Sequence, residues 1–197
     1  MQIYLIRHGE TEWNLERRYQ GSQDISLSRA GREKLCPAGL RPERVYVSRM
    51  KRARETASLL FPGVPQVVVP DLQEMNFGAF EGRNYMEMEH DPEYRAWVDG
   101  NCEGRCPGGE SQEEFTDRTV RAFSGLLSAC RERGEDPVVI VAHGGTEMSL
   151  LSRCARPEKP YYSWLTGNGK GYLLDDADWW DQGILRVTEK IDLTKNG

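Results

Sequence analysis

Short apolar runs alternate along this chain with stretches in which apolar residues recur every three or four positions. The runs have the length and β-branched content of strands. The spaced stretches have the period of amphipathic helices. Residues 2–6, Gln-Ile-Tyr-Leu-Ile, form the first predicted strand. Residues 11–18 follow as a helical segment with Thr11 as its N-cap. Residues 20–24 read as a loop. Leu27 to Gly31 lead into a short helix through Leu35, which Pro37 and Gly39 stop.

Residues 45–47 form a second strand that ends at Ser48, and Ser48 is expected to cap a helix over 50–60. Met50, Ala53, Ala57 and Leu60 give that helix its core face. Residues 66–69, between two prolines, read as a strand. Ser111 and Glu114 form a capping box that opens a long helix to about Arg133. Phe115, Ala122, Phe123, Leu126, Leu127 and Cys130 supply its stripe. Residues 137–142 are the strongest strand, and a continuous apolar run suits a position buried on both faces. A helix over 146–154 and tail strands over 171–174 and 184–190 complete the pattern.

This alternation predicts an α/β fold, an αβα sandwich of three layers with a largely parallel central sheet. No repeat or linker divides it, so residues 1–197 are expected to form one domain. Residues 75–109 break the rhythm. Their aromatics (Phe77, Phe80, Tyr85, Tyr94, Trp97) are mixed with acids, which suits a helical cap inserted over a site.

Composition narrows the classes. The 38% hydrophobic and 29% charged content fits a soluble globular protein. A formal charge of −5 argues against a nucleic-acid partner, though a few focused cations still suffice for a small anion. No apolar run approaches membrane-spanning length, and no leader-like segment opens the chain. The five cysteines, Cys36, Cys102, Cys106, Cys130 and Cys154, are odd in number and scattered. They read as reduced thiols of a cytoplasmic protein rather than as a zinc site.

Two predicted strands end alike, in Arg7-His8-Gly9 and in His143-Gly144-Gly145. In a parallel sheet the carboxyl ends of strands share an edge, and ligands bind there. Two of the three histidines thus meet, while His90, in His90-Asp91-Pro92, reads as a surface loop residue. Ser48 ends a strand on that same edge. One of the nearby basic residues Arg49, Lys51, Arg52 and Arg54, turned inward, would join Arg7 in holding a phosphate dianion.

These residues resemble the histidine phosphatase superfamily, the phosphoglycerate mutase-like proteins. Six blocks agree in order over residues 1–150: Leu5-Ile6-Arg7-His8-Gly9-Glu10-Thr11 with Asn14, Gln20-Gly21 through Gly31, Ser48 through Ala57, Leu72 through Gly82, Pro107 through Ser111, and Val141 through Gly145. The resemblance implies that His8 is a nucleophile that takes the phosphoryl group. It implies that Arg7, Arg52 and His143 bind the phosphoryl oxygens. Asn14 and the backbone at Gly144 add contacts, Gln20 and Gly21 line the approach, and Glu74 is the proton donor. Arg54 is then a surface residue.

The implied chemistry is self-consistent. An imidazole titrating near ~6.5 is largely neutral at physiological pH. Flanking arginines stabilise charge on the phosphoryl oxygens without a metal, and no cofactor is expected. A carboxylic acid supplies the proton that a leaving alkoxide needs. Metal ligation by His8, His143 and Glu74 is the rival chemistry, and the adjacent arginines oppose it.

The segment from Glu74 to Gly82, with Tyr94 and Trp97, is most similar to the small bacterial branch that includes α-ribazole-5′-phosphate phosphatase of cobalamin assembly. Phe80 stands where that branch more often has Trp, and Pro37 shortens a helix that usually runs longer. The expected activity is a metal-independent phosphomonoesterase acting on a small phosphorylated substrate, as a monomer or homodimer. The alternatives are phosphoglycerate mutase-type transfer and a non-catalytic phosphate-binding regulator. Beyond residue 155, Tyr161, Tyr162, Trp164 and the loop at Asn168 are open to contact with substrate or to plain packing.

Overall fold

A computed structural model describes residues 1–195. Seven strands form one sheet: β1 (Gln2–Arg7), β2 (Val45–Val47), β3 (Gln66–Val68), β4 (Val138–Ala142), β5 (Ala155–Arg156), β6 (Lys170–Asp175) and β7 (Leu185–Asp192). Their order is β3-β2-β4-β1-β6-β7-β5. The β3–β2, β2–β4, β4–β1 and β7–β5 pairings are parallel, and β6 runs antiparallel to both β1 and β7.

Side-chain alternation divides the core in two. Ile3, Leu5, Val138, Ile140 and Ala142 face one way, and pack with Phe123 and Leu127 of α5 (Gln112–Glu132) and Leu150 and Leu151 of α6 (Gly144–Cys154). Ile6, Val45, Val47, Val139 and Val141 face the other way. They meet Ala53, Ala57 and Leu60 of α3 (Lys51–Leu60), with Leu27 and Leu35 flanking α2 (Arg29–Lys34). A slip of one residue in β4 would exchange these faces, so its register is strongly set. All five residues of β4 are buried, as expected for a strand covered on both sides. The three layers of the sandwich are present.

Local signals that are legible in sequence act as expected at two helix starts. Thr11 and Asn14 form a capping box at α1 (Glu12–Leu15), and Ser111 and Glu114 form another at α5. Elsewhere the structure departs from the pattern. α1 stops at Leu15, because Arg17 adopts a left-handed φ of 55°. α3 begins at Lys51 with Met50 at its N-cap and no side-chain cap bond. α6 begins at Gly144, two residues early. The four-residue α7 (Trp179–Gln182) and the two-residue β5 are too short for any period to reveal.

The 75–109 segment is less helical than the expected helical cap. It contains α4 (Pro92–Asp99) and a single 3-10 turn, Gly78–Phe80. Asp91 caps α4, accepting from Glu93 and Tyr94 N–H groups. The rest is turns around a small core of its own, in which Met75, Phe80, Met88, Tyr94, Trp97 and Cys106 pack on Phe115 at the start of α5. All five cysteines are free thiols. Among the described residues, no helix is long and apolar enough to cross a membrane.

Candidate active site

The sheet register brings the site together. β2, β4 and β1 are neighbours, with Val47 opposite Val141 and Arg7 opposite Ala142. Each strand therefore releases its next residue at the same carboxyl edge: Ser48, His143 and His8. The ladder continues one step further, since His8 N–H donates to Ala142 O (3.0 Å) and Ser48 N–H to Val141 O (3.2 Å). The His8 and His143 rings meet edge to face, with centroids 5.3 Å apart.

Both rings are buried. Burial, then the Arg52 and Arg7 charges, holds His8 well below the usual imidazole range. His143 is lowered by burial first and by Arg52 next. Both are therefore neutral near pH 7. The His8 Nδ1 lies 2.7 Å from Gly9 O. A carbonyl only accepts, so Nδ1 carries the proton, and Nε2 holds the free lone pair. His143 Nε2 lies 2.7 Å from Ser48 Oγ, and its buried Nδ1 has no protein partner. Ser48 thus orients a ring rather than capping α3, although its Oγ also accepts from Met50 N–H (3.2 Å).

Arg52 is the basic residue that turns inward, and it is fully buried. Its guanidinium donates to Gln23 O (2.6 Å) and Gly21 O (2.8 Å), leaving Nε unpartnered. Arg54 stays on the exposed face. Burial lowers the Arg52 pKa from its ordinary value. A buried cation held only by carbonyls is costly unless an anion meets it. Arg7 repeats the arrangement, with one terminal nitrogen on Thr166 O and an unpartnered buried Nε. A Cβ on Gly144 would lie 3.3 Å from Arg7 Nε and 2.6 Å from Leu165 Cδ1, so a glycine lets helix α6 come this close. The α6 N-terminus adds its own positive potential at the same edge.

Glu74 approaches from beyond β3. Its Oε1 accepts from Met75 N–H (3.0 Å) and its Oε2 from Gly145 N–H (3.2 Å). A Cβ at Gly145 would fall 2.1 Å from Glu74 Oε1, which explains the second glycine after His143. The other expected residues act less directly. Gly21 holds Arg52 through its carbonyl. Gln20 is buried with an unpartnered Oε1. Asn14 spends its Oδ1 on Thr11 N–H, Thr11 Oγ1 and Asn168 Nδ2. His90 is a surface residue beside Glu89. Among the described residues, His8, His143 and Glu74 do not form a cluster suited to a metal ion.

Further contributors come from elsewhere in the chain. Thr56 Oγ1 accepts from Gly9 N–H at 2.8 Å. Asn168 Nδ2 donates to His8 O at 3.1 Å and Gly9 O at 3.3 Å, and Gly169 N–H also reaches His8 O. The Asn168 loop therefore pins the histidine segment from behind. Trp164 is core, while Tyr161 and Tyr162 line a cavity next to Glu74. Glu147 is fully buried on α6 and takes Thr166 Oγ1 (2.8 and 2.9 Å) and Thr166 N–H (3.1 Å) on its carboxyl oxygens. Thr166 thus bridges Glu147 to Arg7. An acid among Thr146, Met148, Leu150 and Leu151 is the one hint of this that the sequence holds.

Burial pushes the Glu147 carboxyl up to about 8, from an ordinary 4.5. Between those values the folded protein holds a proton that the unfolded chain releases. Stability from this group therefore falls as pH rises through that window. Glu147→Gln is expected to remove this slope. Relative to wild type, the variant gains on the order of a few kcal/mol between pH 5 and pH 9. Urea unfolding of both proteins at the two pH values measures it, and parallel pH dependence would contradict a protonated buried acid.

A buried neutral imidazole flanked by two arginines, each with an unpartnered buried Nε, sits at the carboxyl edge of a doubly covered sheet, an arrangement suited to holding an anion. The chain belongs to the histidine phosphatase superfamily (branch 1), whose family model matches residues 3–169. It is 35% identical over 155 residues to the protein named probable phosphoglycerate mutase GpmB of Escherichia coli O1:K1 / APEC, covering 73% of this chain and 70% of that one. The crystal structure of the alpha-ribazole phosphatase from Shigella flexneri superposes with a TM-score of 0.81 at 25% identity, over 95% of both chains. The phosphoglycerate mutase from Thermus thermophilus gives 0.73 at 29% identity, over 98% of this chain and 99% of that one.

Proposed function

We propose that the protein is a metal-independent phosphomonoester hydrolase that works through a phosphohistidine on His8. The fully buried Arg52, together with Arg7 beside a neutral His8 whose Nε2 is free, carries this reading. In the first step the Nε2 lone pair attacks phosphorus and the bond to the leaving oxygen breaks. Glu74 gives that oxygen a proton. In the second step Glu74 takes a proton from water, whose oxygen attacks phosphorus, and the P–N bond breaks to return neutral His8 and inorganic phosphate. Arg7 Nε, Arg52 Nε and His143 Nδ1 are the donors that meet the phosphoryl oxygens, with the α6 N-terminus behind them. For His143 to donate from Nδ1, its Nε2 accepts from the Ser48 hydroxyl.

Asn14, Gln20, Gly21 and Gly144 belong to the substrate-binding shell in this reading: Gly21 holds Arg52, Gly144 lies against Arg7, Asn14 is tied to Thr11 and Asn168, and the buried Gln20 keeps an unpartnered Oε1. Residues 1–197 act as one domain, with 75–109 as its specificity cap. The five free thiols fit a cytoplasmic enzyme, active as a monomer or homodimer. α-Ribazole-5′-phosphate is one substrate of the right class. The mutase reading keeps support from the name of the curated relative. A non-catalytic role is disfavoured, because His8, Arg7, Arg52, Glu74 and His143 are all in place.

The purified protein is expected to release inorganic phosphate from p-nitrophenyl phosphate at an undiminished rate in EDTA, without interconverting 2- and 3-phosphoglycerate. Colorimetric phosphate release and a coupled mutase assay measure both. Loss of activity in EDTA that zinc or magnesium restores would revive the metal chemistry, and efficient interconversion would make it a mutase.

A further inference from the structure

A cavity of about 190 Å³ opens directly beside Glu74, where the leaving group of a phosphomonoester must lie. Its two walls come from different parts of the chain. Tyr19, Phe77 and Trp97 form one wall. Their rings meet edge to face, with centroids 5.0 Å apart for Tyr19–Phe77, 5.9 Å for Tyr19–Trp97 and 6.3 Å for Phe77–Trp97. Tyr161 and Tyr162, stacked edge to face at 5.1 Å, form the other. Tyr162 Oη reaches Asn101 O at 3.4 Å, which ties this wall to the turn that follows α4, the helix that carries Trp97. Phe115 and Gly145 line it together with Glu74.

The lining is selective in charge as well as shape. Among the described residues that line the cavity, Glu74 alone is charged. A carboxylate placed there would find no cation among the lining side chains and would lie close to Glu74. Removing such an ion from water without a partner is strongly unfavourable. An uncharged ring loses nothing of that kind and gains burial and edge-to-face contacts. The size also fits, since an apolar cavity of roughly 150 Å³ holds benzene. One or two fused rings match this space.

We propose that the alcohol part of the substrate is an uncharged aromatic group seated between these two walls. Phosphorylated hydroxy acids such as the phosphoglycerates are then poor substrates. This rests on the hydrolase reading above and adds the substrate class to it. Tyr162 is 57% exposed in the protein, and a ring seated between the walls would cover it further. Phosphate transfer to His8 then begins with the aromatic group already excluding water from Glu74.

The test is a panel of phosphates of primary alcohols, in which the ester linkage stays the same: benzyl phosphate, naphthylmethyl phosphate, n-propyl phosphate and 3-phosphoglycerate, with p-nitrophenyl phosphate as a reference. The kcat/KM for benzyl phosphate is expected to exceed that for n-propyl phosphate by about 30- to 100-fold, and that for 3-phosphoglycerate by more. Phe77→Leu and Tyr162→Ala are each expected to narrow the benzyl-to-propyl ratio by about fivefold or more. Gln112→Lys, which puts a cation on the lining, is expected to raise 3-phosphoglycerate relative to benzyl phosphate. Equal kcat/KM across the panel, or ratios unmoved by all three variants, overturns the aromatic assignment and leaves the hydrolase standing. Failure to release phosphate from any ester, p-nitrophenyl phosphate included, overturns the hydrolase reading and this one together.

Discussion

His8→Ala is expected to fold normally and to lose phosphate release by about ten thousand-fold or more. The size of the loss follows from the division of labour at the sheet edge. Arg7, Arg52 and His143 stabilise charge on a phosphoryl group, but none of them offers a lone pair in the right state. Arginine has no acceptor nitrogen, and His143 Nε2 is committed to Ser48. Only His8 combines a neutral ring, a tautomer set by Gly9 O and a free Nε2. Removing the ring leaves a cradle that still binds phosphate. The variant is therefore expected to bind inorganic phosphate within about tenfold of wild type, while turnover disappears. Circular dichroism, phosphate-binding calorimetry and the p-nitrophenyl phosphate assay together check this. Turnover within tenfold of wild type would remove His8 from the nucleophile role.

Glu74→Gln carries the second largest expected effect, and its signature is dependence on the leaving group. The carboxyl is held by Met75 N–H on one oxygen and Gly145 N–H on the other. An amide of the same shape keeps one of these bonds, on its carbonyl oxygen, and gives up no proton. For an alkyl phosphate, whose alkoxide is a poor leaving group, kcat/KM is expected to fall about 100- to 10,000-fold. For p-nitrophenyl phosphate, whose phenolate leaves without help, the expected fall is about tenfold. The comparison uses kcat/KM because that quantity reports the phosphorylation step. Water attack on the phosphohistidine also needs Glu74 and is the same for every substrate, so it would blur a comparison of kcat. Equal losses in kcat/KM on both substrates would take the acid role away from Glu74.

The parts of this account that are legible in the chain share a physical property: each is decided locally or by strand order. The apolar run before His143 and the one before His8 declare buried strands, and parallel pairing then brings their ends together. Thr11 and Asn14, like Ser111 and Glu114, meet within one turn of helix. Among four basic neighbours the family resemblance singles out Arg52, and burial separates it from Arg54. The illegible parts depend on segments far apart in sequence approaching one another. Ser48 serves His143 across 95 residues, and Gly145 serves Glu74 across 71. Glu147 is tied to Arg7 through Thr166, and nothing in a linear pattern marks a threonine as the bridge. The left-handed Arg17 that ends α1 lies in a stretch that otherwise reads as helix.

The most direct test is to trap the intermediate. In a rapid-quench experiment with labelled p-nitrophenyl phosphate, label is expected on the protein during turnover, stable to base and lost in acid. Peptide mapping is expected to place it on His8, and 31P NMR is expected to assign it to Nε2, because Nδ1 is tied to Gly9 O. Label on His143 or on His8 Nδ1, or turnover with no base-stable label at all, would contradict the account.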